Sequence, residues 1–375
     1  MRSRIQLLLV ALLTLAAACA PPAVSSDMMA QPDESRMTAE DNPYLGGWDL
    51  TIPGGGAGWL GVALNQSYGG GRGGFRGGGQ AAEPQPQYYL DSHLLWGGGS
   101  VRSTDWTYLD NGALVVVQTR SVNRRDMNGE TERIQTSLET ITFRVNGDAL
   151  TATRMTPTQN NTAVSRTVFT GIRSPELPSA PNLSQVRYGA PIQLINSSNL
   201  DGWTLTNPDQ DNGWRVENGV LINDPVHNEA EGEPRLRYGN LRTVQEFEDF
   251  RLTLEVNMPE GGNSGIYLRG IYEVQLEDSY EDSLGSLHMG ALYSRITPTV
   301  KAERPAGEWQ TMDITLMDRH LTVILNGTTI IDNQPILGCT GGALWSDQTR
   351  PGPLYIQGDH AAVRIRNMVL RPVID

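Results

Sequence analysis

Cysteine is scarce in this chain. Of its 375 residues only Cys19 and Cys339 are cysteines. Two cysteines cannot supply a disulfide framework, a zinc cluster or a paired-thiol redox motif. No basic neighbour in sequence is placed to activate Cys339, so it is predicted to be a small buried residue rather than a nucleophile. A function based on thiol chemistry is therefore not expected of this chain.

Basic residues and long apolar runs are also in short supply. Lys and Arg total 29 against 42 Asp and Glu, and the formal net charge is −13. An acidic chain without basic runs argues against nucleic acid and anionic membrane surfaces as partners, but not against neutral sugars. Beyond residue 19 no apolar run approaches the roughly 20 residues that a membrane-spanning helix needs. No long amphipathic helix and no dinucleotide-binding fingerprint is found either.

The first residues resemble a bacterial lipoprotein signal. A short basic start precedes the apolar residues 5–18, and small residues lead to Cys19. We expect residues 1–18 to be removed and Cys19 to be lipidated; an ordinary signal peptide that contains this cysteine is the alternative. Residues 19–43 are rich in Pro, Ser and acidic residues and are predicted to be a disordered tether. Ala20 favours the outer membrane, so the expected location is the cell envelope, lipid-anchored, at the outer membrane or periplasm.

Residues 44–175 are predicted to form an accessory β domain. Short runs rich in Val, Ile and Thr are separated by turn pairs such as Asn111-Gly112 and Asn146-Gly147. Regular short strands with hairpin turns are typical of a small antiparallel barrel or sandwich. The glycine-rich residues 69–85 are predicted to be a flexible loop, because no helix follows that would help to cradle a phosphate.

A Pro- and Ser-rich linker, residues 176–188, leads to a second β domain in residues 189–375. Alternating runs such as 251–256 and 313–316 predict half-buried strands. Asn326-Gly327, with an apolar run on each side, predicts a tight hairpin. The chain is therefore expected to be all-β.

Alternation also identifies a polar sheet face. In the run 272–278, Val274 and Leu276 point one way while Glu273, Gln275 and Glu277 point the other. With the apolar side buried, the carboxylates and amide lie on the open face. The same reasoning places further side chains on that face: Tyr267, Arg269, Tyr355, Gln357 and Asp359.

Two carboxylates four residues apart on a strand do not make an ordinary glycosidase site. Glu273 and Glu277 would be about 13 Å apart, whereas the carboxyls of two-carboxylate glycosidases are roughly 5–10 Å apart. The pattern resembles the alternating acidic strand of laminarinase-type hydrolases, but Gln275 stands where an acid is expected. Conventional hydrolysis is the less favoured interpretation.

Seven segments in this order resemble the 3-keto-disaccharide hydrolase domain family. They are 263–269, 272–278, 290–293, 307–310, 325–327, 357–360 and 366–367. The resemblance covers roughly residues 189–372. It implies a concanavalin-A-like jelly-roll β-sandwich: two curved antiparallel sheets with a groove on the concave one. The expected fold class is thus an N-terminal small antiparallel β barrel or sandwich followed by that jelly roll.

The resemblance implies cleavage of 3-keto-glycosides. A ketone at C3 acidifies the C2 proton, a base removes it, the C1 substituent leaves, and water adds to the enone. Candidate catalytic residues are Glu273, Glu277, His360, Arg269 and Asp359, and candidate substrate-binding residues are Tyr267, Gln275, Tyr293, Tyr355, Gln357 and Trp345. Glu273 or His360 would be the base. Arg269 or a divalent cation would hold the enolate oxygen. Glu277 or Asp359 would serve as acid or metal ligand.

Other interpretations stay open at this point. A non-catalytic carbohydrate-binding lipoprotein on the same fold would keep the aromatic residues Tyr267, Tyr355 and Trp345 but would not need the acid–base groups. A conventional glucanase is the third possibility. An enzyme of the first kind depends on a separate oxidoreductase for its oxidised glycoside. Structural roles are expected for Trp203, Trp214 and Trp309 in the core and for Arg366-Asn367 on the closing strand.

Overall fold

The computed structural model describes residues 42–68, 86–125, 131–158, 163–225 and 238–374. The predicted signal, Cys19, nearly all of the tether and the glycine-rich residues 69–85 lie outside these ranges. Within them, no helix is long and apolar enough to cross a membrane.

Nine antiparallel strands form the first domain. They are β1 (Gly46–Thr51), β2 (Ala57–Tyr68), β3 (Pro86–Trp96), β4 (Arg102–Ser103), β5 (Trp106–Asp110), β6 (Ala113–Arg125), β7 (Thr131–Asn146), β8 (Ala149–Pro157) and β9 (Val164–Arg173). Their order is β4-β3-β2-β1-β9-β8-β7-β6-β5. The two ends of the sheet meet, because the Thr104 amide donates to the Ser92 carbonyl and the Ser92 hydroxyl bonds that of Thr107 at 2.6 Å. The sheet thus curls into a barrel around one core.

Alternation along the strands builds that core. Trp48 and Leu50 on β1, and Leu114 and Val116 on β6, are two residues apart and are fully buried. The hairpin predicted at Asn111-Gly112 is confirmed: φ is +48° and +74°, positive at both positions as a type I′ turn requires. Tight turns and a period of two therefore account for the barrel.

Two sheets face each other in the second domain. Its strands are β10 (Arg187–Tyr188), β11 (Ile192–Gln193), β12 (Trp203–Leu205), β13 (Trp214–Glu217), β14 (Val220–Asn223), β15 (Leu241–Thr243), β16 (Phe250–Asn257), β17 (Asn263–Leu268), β18 (Tyr272–Glu277), β19 (Trp309–Met317), β20 (His320–Leu325), β21 (Thr328–Pro335), β22 (Tyr355–Ile356) and β23 (Val363–Ile374). One sheet has the order β13-β14-β23-β16-β19-β20-β21, with β10 and β11 also on β23. The other has the order β12-β15-β22-β17-β18.

The predicted all-β fold with a jelly-roll sandwich is confirmed. Leu252, Leu254 and Val256 on β16 face the other sheet and are at most 3% exposed. Asn326-Gly327 joins β20 to β21 with positive φ at both residues. Trp309 is an exception, since it is only partly buried and its ring packs against Arg366 at 4.0 Å instead of entering the core.

The barrel and the sandwich are packed together. Ala57, Trp59 and Leu95 of the barrel belong to the hydrophobic cluster of the sandwich. The Arg295 guanidinium lies 4.5 Å from the centre of the Trp59 ring. On the barrel side, Asp49 accepts a hydrogen bond of 2.6 Å from the Gln348 side chain. These contacts hold the barrel against two loops of the sandwich, which contain Arg295 and Gln348.

The predicted linker, residues 176–188, lies along the sandwich. It contains a 3₁₀ turn (Leu183–Gln185) and ends in β10, which pairs with the last residues of β23. The Pro181 carbonyl accepts a hydrogen bond of 3.1 Å from the Asn333 side chain. The segment is therefore bonded to the second domain, and its last two residues already form a strand of that domain.

Candidate active site

Cross-strand register builds a polar row on the smaller sheet. Glu273 on β18 lies opposite Tyr267 on β17, and Tyr267 lies opposite Tyr355 on β22. On the other edge of β18, the Tyr293 amide donates to the Glu273 carbonyl. Directly opposed residues project from the same face. Tyr293, Glu273, Tyr267 and Tyr355 thus form one row, and the rings of Tyr267 and Tyr355 at one end of it stack with centroids 3.8 Å apart.

A glycine makes room for the carboxyl in this row. Gly265 lies opposite Gln275, and a Cβ at Gly265 would be 2.3 Å from Glu273 Oε1. The glycine is therefore what allows the Glu273 side chain to fold over β17. On the other side of β17, the backbone amide of Gln357 donates to the Gly265 carbonyl at 3.0 Å.

The two glutamines beside Gly265 carry unsatisfied acceptors. Oε1 of Gln275 and Oε1 of Gln357 are buried and have no hydrogen-bond partner in the described part of the chain. Buried polar atoms are nearly always bonded, so an orphaned pair calls for an explanation. Donors on a bound ligand, such as sugar hydroxyls, would satisfy both.

Burial controls the charge of Glu273. Glu273 is only 3% exposed. Desolvation raises its pKa from 4.5 to about 8, against a lowering by the Tyr267 hydroxyl and the nearby His360. The carboxyl is therefore mostly protonated at neutral pH and can donate a proton.

A carboxylate–imidazole pair lies within electrostatic range of Glu273. His360 Nδ1 and Asp359 Oδ1 are 2.8 Å apart, and both side chains are about half exposed. Because an ionised carboxylate only accepts, Nδ1 donates, and Nε2 is the basic nitrogen of the neutral ring. The hydrogen bond that His360 donates to Asp359 raises the pKa of His360, and Glu273 acts in the same direction when it is ionised. The exposed pair and the buried carboxyl thus influence each other's pKa.

A loop covers this face of the sheet. In residues 337–350, the covering loop, the Gly341 carbonyl accepts from the Tyr267 hydroxyl at 2.7 Å and that of Gly342 accepts from Tyr355 at 2.5 Å. Thr340 Oγ1 accepts from the Glu273 amide. Tyr267 and Tyr355 are each only 1% exposed. The prediction that these tyrosines line an open groove is therefore wrong, because their hydroxyls bind the covering loop.

Arg269 is also not on an open face. It is 3% exposed, and its φ of +53° breaks the alternation at the end of β17. Its guanidinium donates to the Gln348 carbonyl at 3.0 Å and to the Arg350 carbonyl at 2.7 Å. The prediction that it points into the groove is wrong. Its guanidinium instead holds the covering loop through these two carbonyls.

Glu277 lies in a different environment from Glu273. The charges that act on it come from His288, Asp282 and Glu303, and burial raises its pKa. Its Oε2 is buried without a partner in the described ranges. Four residues of extended strand, about 13 Å, separate it from Glu273. The structure therefore does not bring the two glutamates to one point.

Trp345 lies in the covering loop and is partly buried. The Arg350 guanidinium is 3.7 Å from the centre of its ring. One face of the indole is thus occupied by an arginine. Sugar stacking, the predicted use of Trp345, is restricted to the other face.

The anchors of the covering loop are what sequence reasoning missed. Gln348 is 1% exposed; its Oε1 accepts from the Gly338 amide and its amide donates to Asp49 in the barrel. Asp49 and Gln348 are 299 positions apart in the chain. The only local signal is Gly341-Gly342, where φ of Gly342 is +80°.

No metal-binding cluster is found in the described residues. Groups of three or more His, Cys, Asp or Glu side chains that could hold an ion do not occur there. Asp359 and His360 offer two donors side by side. Two groups of this site can carry a proton, the imidazole of His360 and the buried carboxyl of Glu273.

Comparison with known proteins gives a match for the second domain. Residues 190–371 match the 3-keto-alpha-glucoside-1,2-lyase-like domain. No curated protein matches the chain. Among solved structures, two proteins of Parabacteroides distasonis, provisionally described as glycosyl hydrolases, share 26% and 21% identity over 53% and 49% of this chain and 94% of each of theirs, with TM-scores of 0.39 and 0.41.

A carbohydrate-binding module from Bacillus subtilis shares 10% identity over 44% of this chain and 93% of its own, with a TM-score of 0.26. These TM-scores are too low to carry an argument about the site. The family match agrees with the resemblance seen in the sequence. Residues 190–371, about half of the chain, are therefore similar to the 3-keto-alpha-glucoside-1,2-lyase-like domain family.

Proposed function

We propose that the sandwich domain cleaves 3-keto-glycosides, with His360 as base and Glu273 as acid. The family match supports a carbohydrate-active function. The observation that carries the finer proposal is a buried carboxyl with a pKa of about 8, within electrostatic range of an imidazole that Asp359 orients. In acid–base catalysis, two titratable groups typically have environments that keep one protonated, as the acid, and the other deprotonated, as the base.

Elimination comes first. His360 Nε2 takes the C2 proton, which the C3 ketone acidifies, and the C–H electron pair forms an enolate. As the enolate collapses, the C2–C1 double bond forms and the C1–O bond breaks. Glu273 gives its proton to the departing oxygen, so an enone and a free alcohol result. Gln275 and Gln357 bind sugar hydroxyls with their unpartnered oxygens.

Hydration then closes the cycle. Water adds to C1 of the enone and gives its proton to the Glu273 carboxylate, and C2 takes back a proton from His360. The sum is hydrolysis of the glycosidic bond with both residues restored. The second step uses the same two groups in reversed roles, as microscopic reversibility requires.

The test uses the purified chain without residues 1–18. It is incubated with 3-keto-trehalose, with a 3-keto-glucoside and with the unoxidised parent sugars, each with and without chelator. We expect cleavage of the keto forms alone. Cleavage of the parent sugars at a comparable rate would instead indicate a conventional glycosidase, and loss of keto-sugar cleavage with chelator would add a metal to the site.

Non-catalytic carbohydrate binding is the second candidate. It is favoured by the covering loop, which leaves Tyr267, Tyr355 and Glu273 almost without exposed surface. Binding of the keto sugars without turnover in the same assay would select it.

We also propose that Cys19 is lipidated and anchors the chain in the cell envelope, and that a separate oxidoreductase supplies the oxidised glycoside. Metabolic labelling with an alkyne fatty acid tests the anchor: label on the wild-type chain and none on Cys19→Ala is expected. Equal labelling of both proteins would refute lipidation at Cys19.

A further inference from the structure

The barrel has a cavity at one mouth. Its volume is about 200 Å³, and it is partly open to solvent. The residues around it include Trp96, Arg102, Asp105, Gln118, Glu139 and Arg154. Nothing in the family match concerns this part of the chain, because that match begins at residue 190.

Strand register explains why the cavity is polar. Gln118 on β6 lies opposite Glu139 on β7, so both side chains project from the same face. Two residues further along the same strands, Val116 and Ile141 are fully buried in the barrel core. The barrel interior therefore changes from apolar to polar at this mouth, which is where small barrels hold ligands.

The wall of the cavity is rigidly held. Glu139 is 2% exposed and is bound by two nitrogens of Arg154, one of them at 2.8 Å. The Arg154 guanidinium in turn lies 4.7 Å from the centre of the Trp96 ring. Burying an ion pair stabilises a fold little or not at all relative to apolar residues. A preorganised polar wall is therefore better explained by what it binds.

The chemistry of the lining fits one class of ligand. Among the described side chains of the lining the charges balance, with Arg102 and Arg154 against Asp105 and Glu139. That part of the lining has no excess positive charge to attract a phosphate, and its polar character does not suit an acyl chain. Hydroxyl, amide and carboxylate groups beside an indole match a neutral molecule with many hydroxyl groups. We propose that the mouth of the barrel binds a sugar unit.

The rim of this cavity also touches the sandwich. Ser100 Oγ and the Tyr293 hydroxyl are 3.2 Å apart, and the Val101 amide donates to Ser294 Oγ at 2.8 Å. A Cβ on Gly341 of the covering loop would be 1.8 Å from the Gly99 carbonyl oxygen, so the two loops are in close backbone contact. Tyr293 belongs to the row that contains Glu273. A sugar in the barrel therefore lies next to the elements that cover the candidate active site.

Calorimetric titration of the chain without residues 1–18 tests the proposal, with glucose, trehalose, cellobiose and inorganic phosphate as separate probes. We expect at least one sugar to bind and phosphate not to bind. Gln118→Leu removes one amide at nearly constant size and should weaken sugar binding about tenfold, the size of one lost hydrogen bond with its partner left unpaired. Ser103→Ala is a second variant in case the first does not fold.

One control separates an effect on the cavity from a general effect on the barrel. Thr151→Leu changes an exposed residue of the barrel outside the cavity and should bind sugar like wild type. The probes are unoxidised sugars, so the result does not depend on turnover of 3-keto sugars. Binding of phosphate alone, wild-type affinity for sugar in both cavity variants, or no binding of any sugar would overturn the proposal.

Discussion

Each domain buries one glutamate on the inner face of a curved sheet, and the two have opposite surroundings. Glu139 in the barrel is 2% exposed and Glu273 in the sandwich is 3% exposed. Arg154 binds Glu139 through two nitrogens. Glu273 forms no ion pair with an arginine or lysine within the described residues, and its pKa is raised to about 8.

The difference shows that burial alone does not set the role of a carboxyl. A buried carboxyl that is bonded to a guanidinium holds its neighbours in place. A buried carboxyl without such a partner keeps its proton near neutral pH and can pass it on. The barrel glutamate therefore has a structural role in the cavity wall, whereas the sandwich glutamate is the proposed proton donor.

The largest expected effect is on catalysis. Glu273→Gln should lower kcat/KM for a 3-keto-glycoside by about 10²–10⁴-fold, because an acid–base group contributes that much. Steady-state kinetics on the purified variant measure this loss. Glu277→Gln, on the same strand and face, is the matched control and should stay within a few-fold of wild type. Equal losses in both variants would refute the separate roles of the two glutamates.

The next effect is on stability. Glu139→Ala leaves Arg154 buried and unpaired, so the free energy of unfolding of the barrel should fall by about 3–5 kcal/mol. Denaturant titration followed by barrel-specific hydrogen exchange measures it. Asp148→Ala breaks the exposed Arg173–Asp148 pair of the same barrel and should cost less than about 1 kcal/mol. If the two losses are alike, the Glu139–Arg154 pair is not a rigid wall.

The third effect is a pH dependence of stability. Since folding raises the pKa of Glu273 from 4.5 to about 8, the folded state holds a proton that the unfolded state has lost. This contribution is complete below pH 4.5 and is lost as pH rises through about 8. The wild type should therefore lose stability relative to Glu273→Gln by at most about 1.4 kcal/mol per pH unit in this window. Thermal unfolding of both proteins at a series of pH values would reveal parallel curves if Glu273 is not perturbed.

The smallest effect is a shift of the pH–rate profile. Activity should rise as His360 loses its proton, at a pH above its ordinary 6.5, and fall as Glu273 loses its proton near pH 8. Asp359→Asn keeps an oxygen acceptor but removes the charge that raises the pKa of His360, so the rising limb should move to lower pH and should move further than the falling limb. A rising limb at the same pH in both proteins would remove His360 as the base.

Local patterns predicted much of the fold. Alternation separated Val274 and Leu276, which are buried in the sandwich core, from Glu273 and Gln275 on the other face. Asn-Gly pairs marked the hairpins, and Arg366 and Asn367 bond Glu255 as expected of a structural pair. These features depend only on neighbouring residues and on the period of a strand. The family resemblance added the jelly roll.

Long-range packing decided the rest. The same alternation treats Glu273 and Glu277 as equivalent, yet only Glu273 lies beside Tyr267 and under the influence of His360. What surrounds each carboxyl comes from strands and loops far away in the chain, as with Gln348 and Asp49. The sequence therefore establishes which side chains share a face. Only the tertiary structure decides which of them is buried away from water, because burial and pKa depend on everything that packs around a group.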